Sequence, residues 1–111
     1  MTNKMIVKID LYDDGNSTIK NTIQFESLSY NCDKDNKKII FNIPRSDFNK
    51  YDALCDMCLS RDQVVNINVA DGDKGREPLN NIIIKPIRRQ FENSHHSATI
   101  KYKTKNFIIS D

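Results

Sequence analysis

The chain begins with a period of two. Met5, Val7, Ile9 and Leu11 alternate with Ile6, Lys8, Asp10 and Tyr12, which predicts a half-buried strand with one apolar face. Asp13-Asp14-Gly15-Asn16 follows with residues that tolerate positive φ, as a tight hairpin turn requires. A second, antiparallel strand is expected over residues 18–30. In it Ile19, Ile23 and Phe25 share a face, whereas Leu28 and Tyr30 take the other. A change of phase near Ser27 predicts a bulge or bend, of the kind by which strands curl around a barrel or cross between sheets. After the polar turn Asp33-Lys34-Asp35-Asn36, residues 38–43 (KIIFNI) read as a third strand with Ile39, Phe41 and Ile43 in phase.

The period then lengthens. Phe48, Tyr51, Leu54, Cys55, Cys58 and Leu59 recur at spacings of three and four, the stripe of a helix that buries one face. Ser46 is the expected N-cap, with Asp47 in the first turn where the helix dipole favours negative charge. Beyond it come residues 64–69 (VVNINV), a polar loop over 70–78, residues 81–91 (NIIIKPIRRQF), a loop over 92–97 (ENSHHS) and a last strand over 98–109. Pro86 cannot donate to a ladder, so the fifth strand is expected at an edge or broken there. The fold class is therefore mainly β with one helix, in the order β-β-β-α-β-β-β, a small antiparallel barrel or sandwich. The order is OB-like in that its helix follows the third strand, although the sixth strand departs from that scheme and no motif supports it.

A chain of 111 residues, 38% of them hydrophobic, suits one domain over residues 1–111 with a single core. It has no apolar run of membrane-spanning length and no signal-peptide pattern at its start, so it is expected to be cytoplasmic, without a membrane partner. Its 15 Ile, 13 Asn and 12 Asp include residues with A/T-rich codons, a hint of an A/T-rich bacterial or phage source.

The C-x-x-C spacing of Cys55 and Cys58 raises three chemistries. Zinc would need two further ligands, from Cys32, His95 and His96, and a zinc knuckle presents its cysteines from a tight turn. A redox pair sits at a helix N-terminus, whereas Cys55 lies more than two turns past Ser46. Both thiols fall on the apolar helical stripe, so core packing is the expected role, with no metal and no cofactor. His95-His96 reads as an exposed loop, without the nucleophile that a hydrolytic constellation requires. Asp71-Gly72-Asp73-Lys74-Gly75 lacks the third acidic position and the closing Glu of a calcium loop. No catalytic residue is assigned, and an enzyme is not expected.

Charge divides unevenly. Residues 1–74 hold ten Lys/Arg against twelve Asp/Glu, and residues 75–111 hold seven against three. If the last two strands form a hairpin, Lys101 faces Arg88 or Arg89, and Lys103 and Lys105 continue the same face. Like charges opposed on a sheet are unfavourable alone and comfortable against an anionic partner; the alternative is an edge guarded by lysines. Lys85, Arg88, Arg89, Lys101, Lys103 and Lys105 are thus the candidate partner-binding residues. The expected function is a non-enzymatic protein-interaction or assembly module, binding another protein or a second copy of itself, such as a phage virion component or an inhibitor of a host protein. The alternative is an OB-like single-stranded nucleic-acid binder that tracks phosphates with those cations and stacks bases on Phe91, Tyr102 or Phe107.

Overall fold

The computed structural model describes residues 5–13, 18–59, 62–72, 74–92 and 95–104. Strands β1 (Met5–Tyr12), β2 (Ile19–Ser27), β3 (Tyr30–Asp33) and β4 (Lys38–Asn42) precede a 3₁₀ turn (Arg45–Asp47) and the helix α1 (Phe48–Met57). Strands β5 (Gln63–Asp71), β6 (Lys74–Gly75), β7 (Leu79–Glu92) and β8 (His95–Thr104) complete the chain. Residues 14–17 of the first expected turn, and Lys105 and Phe107 of the last expected strand, lie outside the described residues.

All pairings are antiparallel, in the order β2-β1-β5-β7-β8-β4-β3, with β6 beside β5. The sheet does not close by hydrogen bonds. Its two edges, however, are successive pieces of one chain segment. The bend expected near Ser27 is there: the Ser27 hydroxyl contacts the carbonyls of Ser29 and Asn42, and the Leu28 N–H donates to Asn42 O. By turning at Leu28-Ser29, the segment leaves β1 as β2 and joins β4 as β3. The sheet consequently curls until Phe25 on β2 meets Phe41 on β4, edge to face with centroids 5.5 Å apart.

Alternation places Val7, Ile9, Leu11, Ile23, Phe25, Ile39, Phe41, Val65, Ile67, Val69, Ile82, Ile84, Ala98 and Ile100 inside this curl. Each side chain so buried contributes about 1.5–3 kcal/mol for the larger aliphatics and aromatics. Helix α1 closes one end through Tyr51, Leu54, Cys55 and Cys58. At the other end the loop after β6 folds back: the Arg76 guanidinium lies 5.7 Å from the Tyr30 ring, and Lys34 pairs with Glu77 at 3.4 Å.

Three expectations are corrected. Ser46 is not the helix cap: it lies in the 3₁₀ turn, and the N-cap residue is Asp47. The buried Asp47 makes no side-chain cap bond: one carboxylate oxygen accepts the Glu26 N–H on the open edge of β2 and the other stands 3.5 Å from Lys50 on α1. Leu59 lies past the end of α1 and is 70% exposed, outside the buried stripe. The loop expected over 92–97 gives way to strand at Glu92 and at residues 95–97, where β7 and β8 pair out to Glu92 and His95, while residues 93 and 94 lie outside the described residues. Pro86 is accommodated where its strand is one-sided, because β5 pairs with β7 only as far as Ile84.

Candidate functional site: a lysine row on the outer face and an aromatic cleft

The register decides the charge pattern of the last hairpin. Lys101 pairs with Lys85 on β7 and with Lys38 on β4, not with Arg88 or Arg89 as the sequence suggests. Directly paired residues share a face, so three lysines stand in one row across β4, β8 and β7, with Lys103 one step along β8. Between them Ile83, half-buried, floors a shallow hollow of about 180 Å³ lined by Lys85, Lys101, Tyr102 and Lys103. Ile82 and Ile84 point inward, which resolves the triple isoleucine into two core residues and one surface residue.

Among the described residues one carboxylate forms ion pairs with the lysines of this face. Asp62, just before β5, stands 3.4 Å from Lys85 and 3.8 Å from Lys103, while Lys101 forms no ion pair among the described residues. Asp33, paired with Lys38 on β3, is occupied by its own turn: it accepts from the N–H groups of Asp35 and Asn36 and from the Asn36 amide. These bonds, the Asn36 side chain's first, hold its pKa below the usual carboxylate range. At the row β8 and β4 are paired on both sides, whereas β7 is one-sided at Lys85, just past its last pairing with β5 at Ile84, so the row runs from a local edge into the sheet.

Arg88 and Arg89 belong elsewhere. A bulge between Ile87 and Gln90 sets Arg88 and Arg89 opposite the single residue Ala98, and bulges re-aim side chains. Both arginines turn to the helix, Arg88 to Asp56 and Arg89 to Asp52 in a two-pronged pair at 2.9 and 2.8 Å. The Arg89 hydrogen bonds are the main reason that the Asp52 carboxyl lies below its ordinary pKa. Tyr51, fully buried, donates its hydroxyl to the bulge carbonyl of Ile87 at 2.6 Å, with Thr99 O at 3.2 Å. Burial pushes its phenol pKa up.

The bulge also reverses the phase of β7, so that Phe91 leaves the lysine face. It packs against His96 with ring centroids 5.2 Å apart, and His96 in turn meets Phe48 at 4.5 Å. Leu28, Asn42, Ile43, Pro44 and Arg45 complete a cleft of about 240 Å³ with these rings. His96, expected in an open loop, is a half-buried wall of this cleft. Tyr102 is on the inward phase of β8, half-buried, with its hydroxyl 3.9 Å from the Cys32 sulfur. Phe91 and Tyr102 therefore lie on the opposite phase of the hairpin from Lys85, Lys101 and Lys103.

No family model matches the chain, and no curated protein or solved structure is significantly similar to it. Its chemistry has to be read from its own side chains. Among the described residues no helix is long and apolar enough to cross a membrane, and no three His, Cys, Asp or Glu side chains gather as metal ligands would.

Cys55 and Cys58 are buried in the core, and burial is the leading cause of their raised pKa values, pushed up to about 11 for Cys58. At pH 8 a thiol of that pKa is about one-thousandth thiolate. We expect one fast thiol, Cys32, in alkylation of the folded protein, followed by two more on unfolding. Three equal rates in the folded state would contradict the packing role.

Proposed function

We propose that the chain is a non-enzymatic interaction module that docks an acidic segment of a partner protein on the outer face of β4, β8 and β7. The observation that carries this reading is the in-register row Lys38, Lys101, Lys85. Each opposed pair of like charges disfavours the free fold, and a carboxylate-bearing partner turns that cost into attraction. Ile83 in the midst of the lysines favours protein over nucleic acid as the occupant: it offers an apolar contact, and Tyr102, which also lines the hollow, is half-buried on the inward phase of β8 with its hydroxyl at the Cys32 sulfur rather than laid open to stack a base. A second copy of the chain fits less well, since a symmetric contact through this face would oppose two lysine rows. A virion component or an inhibitor of a host protein is a role of this kind.

The test is fluorescence anisotropy with a labelled peptide of alternating glutamate and leucine, beside its glutamine counterpart and an oligo-thymidylate. The acidic peptide should bind, more weakly as salt rises, and the neutral one should not. Binding of the oligonucleotide alone would replace this reading with the nucleic-acid one. Asp62 acts here as an internal competitor for Lys85 and Lys103. Asp62→Asn should therefore tighten peptide binding about two- to fivefold, the range set by exposed ion pairs. Weaker or unchanged binding would remove Asp62 from the site.

A further inference from the structure

The aromatic cleft at the other face of the hairpin is a second, differently built site. We infer that it receives a single apolar side chain next to a carboxylate, presented by a protein partner. Its floor is rigid before any ligand arrives. The Arg89 guanidinium lies 3.9 Å above the Phe48 ring, is gripped by both oxygens of Asp52, and stands 3.1 Å from His96 Nδ1. Because a guanidinium only donates, Nδ1 accepts and the ring proton sits on Nε2. Arginine, imidazole and two phenyl rings are thereby locked in one arrangement, and such preorganisation lowers the ordering cost of binding.

Size and charge narrow the occupant. A cleft of about 240 Å³ is below the usual range for whole small-molecule ligands and suits one anchor side chain. Phe91 is 66% exposed and Leu28 40% exposed, on opposing rims, so apolar surface waits on both sides. The rings meet at tilts of 59° and 53° and form a concave hollow rather than one flat platform for a base. At the rim Arg45 is exposed and forms no ion pair among the described residues. With Arg89 paired to Asp52, Arg45 is the cation among the described residues that line the cleft, and a carboxylate beside the anchor would meet it.

The probe is N-acetylphenylalanine, with N-acetylphenylalaninamide and thymidine monophosphate as comparators, followed by amide chemical shifts of the folded protein. The carboxylate form should shift Leu28, Phe48, Phe91 and His96 saturably and bind about two- to fivefold more tightly than the amide, the worth of one exposed ion pair. Arg45→Gln should erase that preference while both still bind, and Phe91→Ser, at an exposed position, should weaken both. Lys101→Glu should change nothing here, which separates this site from the lysine face. Absence of saturable shifts, equal affinities in the Phe91→Ser protein, or preferential binding of thymidine monophosphate would overturn the inference.

Discussion

Tyr51→Phe should destabilise the fold by about 1–3 kcal/mol, the cost of a buried acceptor left without its donor. It should also disturb the cleft residues on β7 and β8 before it disturbs the lysine row. The phenyl ring of the variant still fills the space against Phe25, where the Tyr51 ring packs edge to face at 5.8 Å, so little volume is lost. What disappears is the hydroxyl contact to Ile87 O at 2.6 Å and the approach to Thr99 O at 3.2 Å. The Cys55 thiol, 4.0 Å from the same Ile87 carbonyl, is a weak donor and a poor substitute. Since that carbonyl opens the bulge that turns Arg89 toward Asp52, loosening it should broaden or move the amide signals of Arg88, Arg89, Phe91 and His96. Urea unfolding with the same set of signals checks both parts. An unchanged midpoint would show that the hydroxyl bond does not hold the bulge.

That bulge is also where reading the sequence reaches its limit. The strands of the first half, the helix and the bend near Ser27 were legible because alternation, helical spacing and a change of phase each leave a mark in residue type. In β7 the apolar residues Ile82, Ile83 and Ile84 run together and the charged pair Arg88-Arg89 spans the bulge, so nothing marks the inserted residue. A single extra residue moves every later side chain to the other face. An unbroken period of two would group Lys85, Arg89 and Phe91, whereas the structure leaves Lys85 with Lys101, turns Arg89 to Asp52 on the helix and Phe91 to His96. The cleft was hidden for a related reason. Leu28, Pro44, Phe48, Phe91 and His96 come from three distant stretches, joined only by tertiary packing. The lysine row was half legible: the basic composition of the last third signalled it, but its third member, Lys38, comes from β4 and its register from hydrogen bonds that no residue type encodes.

Lys101→Glu should have opposite effects on folding and on binding. In the folded protein Lys101 stands between Lys38 and Lys85 without an ion pair among the described residues. A glutamate there replaces two cross-strand repulsions with two attractions, which at an exposed site should stabilise by about 0.5–1 kcal/mol. The same change puts a carboxylate at the centre of the face that is proposed to receive carboxylates, so binding of the acidic peptide should fall by at least about tenfold, as for like charges set together in an interface. Lys101→Gln, which removes charge without reversing it, should lie between the two on both scales. A protein made more stable by losing a charge, and less able to bind, is the signature of a site held against the preference of the fold. Urea midpoints and peptide anisotropy on the three proteins decide the matter. If Lys101→Glu is neutral or destabilising and binds the peptide as well as the parent, the lysines are ordinary solvated surface and the docking face lies elsewhere on the molecule.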